Sequence, residues 1–259
     1  MAAQAKKSIK KTPESPLRIL CFGDSLTAGF PVDNPYSGQL TEKIEKEYPG
    51  RKVECDVEGQ PGDLVTSGHF LERIQTKWAT AQTPYDWTIV QGGTNDLAWG
   101  RPANQIIEAL KRCWDVSLSK GGKVLALTIP ETRAQFASII ERRTEVNEAI
   151  KAYEKPNYFH FDLSKAMPYH NMAPEDRPRH WNLDGVHYSA AGYDLLGEKI
   201  GDALVRILRL AEAQDTDIST IVADARQRKA IEELIFEEER GDPRLLSQGY
   251  IIVRKKDLD

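Results

Sequence analysis

Short apolar runs alternate with longer stretches of helical periodicity along this chain. The apolar runs predict five buried strands, which cover residues 18–22, 52–58, 87–90, 124–129 and 158–163. The most regular helical pattern follows the last of them, over 190–211, where apolar residues recur every three or four positions. Strands that alternate with helices favour a parallel sheet covered by helices on both faces. The pattern therefore predicts an α/β fold built on a five-stranded parallel sheet.

The intervening segments add further helices and one long loop. Apolar spacing predicts helices over 64–77 and 135–153, and a third that opens at Pro102 and stops at Gly121-Gly122. The segment 168–188 contains several prolines and no periodic pattern, which predicts a loop.

The two ends of the chain differ from this central pattern. Residues 1–16 are lysine-rich and lack an apolar core, so we expect a disordered tail before a domain at 17–213. Residues 214–259 predict a C-terminal helical extension, with a charged helix over 215–240 and a short strand over 249–253. The extension is too short for a substantial core of its own, which favours packing on the domain. It is also a candidate surface for dimerisation.

Composition narrows the classes of function. With 40% hydrophobic and 29% charged residues, the 259-residue chain has an ordinary globular composition. A net charge of −4 gives no electrostatic case for nucleic acid. No apolar run approaches the roughly 20 residues that span a bilayer. The absence of a secretory pattern predicts an intracellular protein, and the three cysteines lack metal spacing, so we expect free thiols and no metal or cofactor.

Polar residues follow the first three predicted strands where each strand ends. Ser25 comes after the first, Gly62-Asp63 after the second and Asn95-Asp96 after the third. The carboxyl ends of parallel strands meet at one edge of a sheet, where such folds bind ligands. A serine, glycine N–H groups and an asparagine amide at one edge supply a nucleophile and donors for an oxyanion.

A later loop supplies the base that this chemistry requires. His187 follows Asp184 by three residues, a spacing that lets one turn hold both side chains together. We expect His187 to take the proton of Ser25, with Asp184 orienting the imidazole. The predicted oxyanion donors are the N–H of Ser25, the N–H of Gly62 and the side-chain amide of Asn95. Gly59 remains an alternative to Gly62.

These segments resemble the motif blocks of the SGNH hydrolases, also called GDSL esterases and lipases. Four blocks occur in the family's order, namely Gly23-Asp24-Ser25-Leu26, Gly62-Asp63, Gly93-Thr94-Asn95-Asp96 and Asp184-Gly185-Val186-His187. The resemblance covers about 17–211 and implies a flavodoxin-like three-layer α/β/α sandwich. It also implies a nucleophilic serine, oxyanion donors from the glycine and asparagine, and a catalytic Asp–His pair.

The sequence thus predicts a carboxylic ester hydrolase that acts on a small ester through an acyl-enzyme. Transfer of the acyl group to an alcohol and a binding module on a retired hydrolase fold remain the alternatives. Phe30, Trp99 and Trp181 flank the motifs and are candidates for lining an acyl pocket. The remaining carboxylates of the motifs, Asp24, Asp63 and Asp96, are expected to bond to backbone in their turns.

Overall fold

A computed structural model describes residues 15–213 as five parallel strands with helices on both faces. The strand order is β2-β1-β3-β4-β5, which is the flavodoxin-like order, so the predicted fold class is confirmed. The strands are β1 (Leu17–Gly23), β2 (Val53–Gly59), β3 (Trp87–Val90), β4 (Lys123–Leu127) and β5 (Tyr158–Phe161). The predicted N-terminal tail, apart from residues 15 and 16, and the predicted C-terminal extension lie outside the described residues.

Helices connect every pair of successive strands and follow the last strand. In chain order they are α1 (Ser25–Ala28), α2 (Ser37–Glu47), α3 (His69–Thr80), α4 (Thr94–Ala98), α5 (Ala103–Ser119), α6 (Ala137–Ala152), α7 (Leu163–Ala166), α8 (Arg177–His180) and α9 (Ala190–Ala213). Within residues 15–213, no helix is both long and apolar enough to cross a bilayer.

The sheet is buried on both faces because its strands carry apolar residues at successive positions. In β1, Ile19 and Cys21 pack into the cluster under α2 and α9, whereas Leu20 and Phe22 pack into the cluster under α3, α5 and α6. Every residue that gave 190–211 its predicted periodicity is buried against the sheet or α2, namely Tyr193, Leu196, Ile200, Leu204, Ile207 and Leu208. These residues form the three-layer sandwich.

The direction in which successive strands are added to the sheet reverses at β1. From β1 the chain crosses to β2 on one side, and it then returns to β3 on the other side of β1. Connections that diverge in this way leave a crevice beyond the carboxyl ends of the two strands. The loops after β1 and β3, which carry Ser25 and Asn95, begin at this crevice.

Several predicted bounds differ from the structure: β4 ends at Leu127 rather than at 129, and the segment predicted as a loop over 168–188 contains the short helix α8. Two further differences have a clear local cause. The helix expected over 64–77 is split into a 3₁₀ turn at Val65–Ser67 and α3, because Gly68 between them has a φ of 79°. The fifth strand ends at Phe161 rather than at 163. There the Asp162 carboxylate caps α7 by accepting the amide hydrogen of Lys165 at 3.1 Å.

Helix α9 approaches α2 closely because the two positions that face it most directly are glycines. A Cβ at Gly197 would collide with the carbonyl oxygen of Tyr36 and would lie 2.8 Å from the Cβ of Gln39. One turn later, a Cβ at Gly201 would lie 2.9 Å from the flexible side chain of Lys43. Backbone is the obstacle at the first position, so Gly197 sets the separation of the two helices.

We expect Gly197→Ala to lower the free energy of unfolding by about 1–3 kcal/mol, because α2 must shift away from α9. Urea denaturation measures this change. The matched control is Gly38→Ala in α2, where a Cβ would meet no atom within 4 Å. That variant should gain about 0.5–1 kcal/mol from helix propensity. Equal effects in both variants would contradict the close approach.

Candidate active site

Ser25 occupies the sharp turn between β1 and α1. The carboxylate of Asp24 caps this turn by accepting the amide hydrogen of Leu26 at 3.0 Å. Gly23 is required before it, since a Cβ there would collide with the Thr27 hydroxyl and the Gln91 carbonyl. The turn fixes Ser25 at the carboxyl edge of the sheet, where its side chain is largely buried.

The loop that carries His187 is closed on itself. An isolated antiparallel bridge pairs Trp181 with Tyr188, and the Asn182 N–H donates to the His187 carbonyl at 2.8 Å. Asp184 secures the interior of the loop, because its Oδ1 accepts the amide hydrogens of Val186 at 2.8 Å and His187 at 2.9 Å. The acid and the imidazole are therefore held on one small unit.

The structure brings Ser25, His187 and Asp184 into one hydrogen-bonded series. The Nε2 atom of His187 lies 2.9 Å from the hydroxyl oxygen of Ser25, and its Nδ1 atom lies 2.7 Å from Oδ2 of Asp184. An ionised carboxylate only accepts, so Nδ1 carries the proton and Nε2 is left to accept from the serine hydroxyl. This is the arrangement in which a histidine can remove the serine proton.

The surroundings of Asp184 keep it ionised. Partial burial alone would raise the pKa of this carboxyl. The amide hydrogens of His187 and Val186 and the His187 ring outweigh that effect, and the pKa of Asp184 falls below its usual value. A carboxylate that stays charged stabilises the imidazolium that forms when His187 accepts a proton.

A second loop, after β2, lies beside the serine turn, since the Gln60 N–H donates to the Gly23 carbonyl at 3.1 Å. Gly62 has a φ of 80° and open space where a Cβ would stand, whereas a Cβ at Gly59 would collide with the backbone of Ala28. Gly59 therefore packs under the serine turn, whereas a side chain at Gly62 would meet open space. The side-chain amide of Asn95 donates to the Asp63 carbonyl at 3.0 Å and joins this loop to the one after β3.

The remaining carboxylates of the motifs bond to the backbone of nearby loops. Asp96 accepts the amide hydrogens of Val65 at 2.9 Å and Thr66 at 3.1 Å, which pins the 3₁₀ turn to the end of β3. Asp63 accepts the amide hydrogen of Leu64 at 2.9 Å. Together with the Asp24 cap, these bonds match the structural roles expected for the three carboxylates.

Arg73 joins three of these segments, and the sequence interpretation gave it no role. Its guanidinium donates to the carbonyls of Gly23 and Glu58 and, at 2.7 Å, to the carboxylate of Asp63. It also lies over the ring of Phe22 at 4.8 Å. The available signal was its position, since Arg73 lies on the buried face of α3 between Phe70 and Ile74.

The three aromatic residues proposed for a pocket have different surroundings. Phe30 packs edge-on against the His187 ring, with 5.1 Å between ring centroids, and stays 46% exposed. Trp99 is 73% exposed beside the Asn95 loop. The expectation that Trp181 lines a pocket is corrected, because its side chain is only 3% exposed and packs in the core against Tyr169 and Tyr188. Its bridge to Tyr188 turns it inward.

Among residues 15–213, no group of three or more His, Cys, Asp or Glu side chains is placed to hold a metal ion. The three cysteines of the chain are free thiols, as the sequence predicts.

A parallel sheet of this order, with hydroxyl, imidazole and carboxylate groups in contact at its carboxyl edge, defines a hydrolase of the three-layer α/β class. A family model described as the GDSL-like lipase/acylhydrolase family matches residues 21–195, and the chain belongs to this family.

Solved structures share the fold. A lipase/acylhydrolase from Enterococcus faecalis is 26% identical, with a TM-score of 0.56 and coverage of 73% of this chain and 95% of that one. A lipolytic G-D-S-L family protein from Veillonella parvula is 24% identical, with a TM-score of 0.54 and coverage of 70% and 93%. A family 3 carbohydrate esterase from Talaromyces cellulolyticus is 19% identical, with a TM-score of 0.57 and coverage of 74% and 98%. Among curated proteins, no sequence matches the chain.

Replacement of Arg73 by Met should lower the free energy of unfolding by about 3–5 kcal/mol, since it leaves the buried Asp63 carboxylate without its cation. The control on the same helix is Lys77→Met, which removes a more exposed pair with Glu58 at 3.0 Å. That change should cost about 1 kcal/mol or less. Urea denaturation compares the two, and similar losses would refute the central position of Arg73.

Asp24 makes stability depend on pH. Burial, the largest effect, raises the pKa of Asp24 to about 7, and the nearby Asp96 charge adds to it despite the Leu26 hydrogen bond. In the unfolded chain an aspartate titrates near pH ~4. The folded state therefore binds the extra proton between those values, and its stabilising contribution is complete below about pH 4 and lost as the pH rises through about 7.

We therefore expect wild type to lose stability relative to Asp24→Asn by up to about 4 kcal/mol as the pH rises from about 4 to 8. Urea denaturation across this range tests the slope. The control, Asp33→Asn, changes an exposed carboxylate on the following loop and should run parallel to wild type. Parallel curves for Asp24→Asn as well would show that this carboxyl titrates normally.

Proposed function

We propose that this hydrolase cleaves carboxylic esters through an acyl-enzyme on Ser25. The observation that supports the proposal most directly is the series of two hydrogen bonds from the serine hydroxyl through His187 to Asp184, at 2.9 and 2.7 Å. Membership of the GDSL-like lipase/acylhydrolase family supports the same chemistry.

In the first half-reaction, the hydroxyl oxygen of Ser25 attacks the ester carbonyl carbon while Nε2 of His187 takes its proton. The tetrahedral intermediate then collapses, the bond to the alkoxy oxygen breaks, and His187 returns the proton to the departing alcohol. In the second, a water molecule attacks the acyl-enzyme with His187 again as base. The carboxylic acid leaves and Ser25 recovers its proton. Asp184 keeps the imidazole in the required tautomer throughout.

The negative oxygen of each intermediate is received by three donors. These are the backbone N–H groups of Ser25 and Gly62 and the side-chain amide of Asn95. Neither backbone group donates a hydrogen bond to any residue in the described part of the chain, so both are available. The absent side chain at Gly62 lets the backbone approach a substrate. Loss of one such donor typically costs about 10²–10³-fold in turnover.

We expect Ser25→Ala to lower kcat for a short p-nitrophenyl ester by a factor on the order of 10⁶, because no nucleophile remains. A fluorophosphonate probe should label wild type at Ser25 and leave the folded variant unlabelled. The control, Ser119→Ala, removes an exposed serine at the end of α5 and should keep full labelling and turnover. Undiminished turnover in Ser25→Ala would refute the proposal, as would a folded wild type that neither reacts with the probe nor hydrolyses esters.

A further inference from the structure

The loop after β4 supplies none of the proposed reacting groups, yet one of its residues holds the loop at 182–187, which we call the His187 loop. The N–H of Arg133 donates to the Gly185 carbonyl at 2.7 Å. The guanidinium of Arg133 donates to the Leu183 carbonyl at 3.0 Å. These two carbonyls lie on either side of Asp184 along the chain. One arginine therefore holds the backbone of the His187 loop both before and after its carboxylate.

The side chain of Arg133 also packs along the His187 loop. A Cβ at Gly185 would lie 2.4 Å from the Cβ of Arg133, 3.2 Å from its Cδ and 3.3 Å from its Nε. Carbon atoms in a packed protein do not approach one another as closely as the first of these distances, so the loop needs a glycine where it meets the arginine. The contact thus extends from the Cβ to the guanidinium.

The segment that carries this arginine is itself anchored. The side chain of Asn147 accepts the N–H of Ile129 at 2.7 Å and donates to the Ile129 carbonyl at 2.9 Å. Two residues further on, Oε2 of Glu131 accepts the amide hydrogens of Tyr169 at 2.8 Å and His170 at 3.1 Å. The arginine therefore reaches the His187 loop from a fixed base.

Few other hydrogen bonds connect the His187 loop to the body of the protein. Among residues 15–213, the bonds from Arg133 and the bond between His187 and Ser25 are the ones that join it to another segment. The other hydrogen bonds of the loop run between its own residues. In an acyl-enzyme the Ser25 oxygen has no hydrogen left to donate to His187. The bonds from Arg133 are then the ones that still tie the loop to another segment.

We propose that Arg133 is a positioning residue, which holds Asp184 where its carboxylate can orient the imidazole of His187. The inference rests on the proposed function and adds to it a residue that acts through another rather than on the substrate. Oδ2 of Asp184 lies 2.7 Å from Nδ1 of His187. A shift of the loop by about 1 Å would lengthen this contact beyond hydrogen-bond range. Misplacement of that size can cost about 10²-fold in rate.

Arg133→Met tests the proposal, because methionine keeps an apolar stem beside Gly185 and removes the donor to the Leu183 carbonyl. We expect kcat for a short p-nitrophenyl ester to fall about 10–100-fold, with KM within about twofold of wild type. An unchanged kcat in this variant would overturn the proposal. A raised KM with unchanged kcat would also overturn it, since the arginine would then bind substrate.

The matched control is Arg142→Met in α6. The guanidinium of Arg142 likewise donates to two backbone carbonyls, those of Ser138 at 2.8 Å and Arg101 at 3.0 Å, and neither belongs to the His187 loop. This variant should keep the wild-type kcat. An equal fall in both variants would overturn the proposal, because the loss would not depend on the His187 loop.

A double-variant cycle tests whether Arg133 acts through Asp184. Asp184→Ala alone should lower kcat by a factor on the order of 10⁴. Without that carboxylate there is nothing left for the arginine to position, so adding Arg133→Met should lower kcat by no more than about twofold further. A further loss of about 10–100-fold would show that the two residues act independently and would overturn the proposal.

Hydrogen exchange follows the His187 loop without turnover. Arg133→Met should speed the exchange of the amide hydrogens that Val186 and His187 donate to Asp184, whereas Arg142→Met should leave it unchanged. Unchanged exchange in Arg133→Met would overturn the proposal even if kcat falls. If exchange becomes faster but wild type hydrolyses no ester, the loop positioning stands and the proposed function fails.

Discussion

One buried arginine connects the strand ends and the loop whose relative positions define the site of this hydrolase. Arg73 reaches from α3 to the carbonyl at the end of β1, the carbonyl near the end of β2 and the carboxylate of Asp63. The first contact precedes the serine turn, and the last holds the loop that contains Gly62. A planar guanidinium can satisfy three acceptors in different directions, which a lysine ammonium on a flexible stem does less well. The separation of Ser25 from the loop of Gly62 thus depends on an ion pair outside the series of Ser25, His187 and Asp184.

The site is an assembly of loops over a rigid sheet. Parallel pairing of β1 with β2 and β3 brings three loops to one edge, and hydrogen bonds between loops then set their separations. Asp96 and Asn95 tie the loop after β2 to the loop after β3. Only Asp184 and His187 come from a distant part of the chain. Their loop meets the serine through the hydrogen bond between His187 and the Ser25 hydroxyl.

The sequence carried enough information for the sheet, the helix faces and the gathering of the motif residues, because these follow from local periodicity and strand order. It did not reveal Arg73, since an arginine on an amphipathic helix resembles a solvated side chain until its acceptors are known. Trp181 was assigned to the wrong environment for a related reason. Its loop has no periodicity, and its burial comes from ring contacts with Tyr169 and Tyr188 that no local pattern indicates.

The bridge between Trp181 and Tyr188 has a consequence for how the hydrolase loses activity on heating. Asp184 and His187 belong to a loop whose β pairing, among the described residues, is one isolated bridge, and which otherwise relies on packing and on a few hydrogen bonds such as that from the Arg133 N–H to the Gly185 carbonyl. Ser25, in contrast, follows a central strand paired on both sides. Regions with few fastenings open before the body of a protein does. Gentle heating is then expected to move His187 away from Ser25 while the sheet stays intact. Inactivation of this kind reverses on cooling, because the sheet that guides the loop back has never come apart.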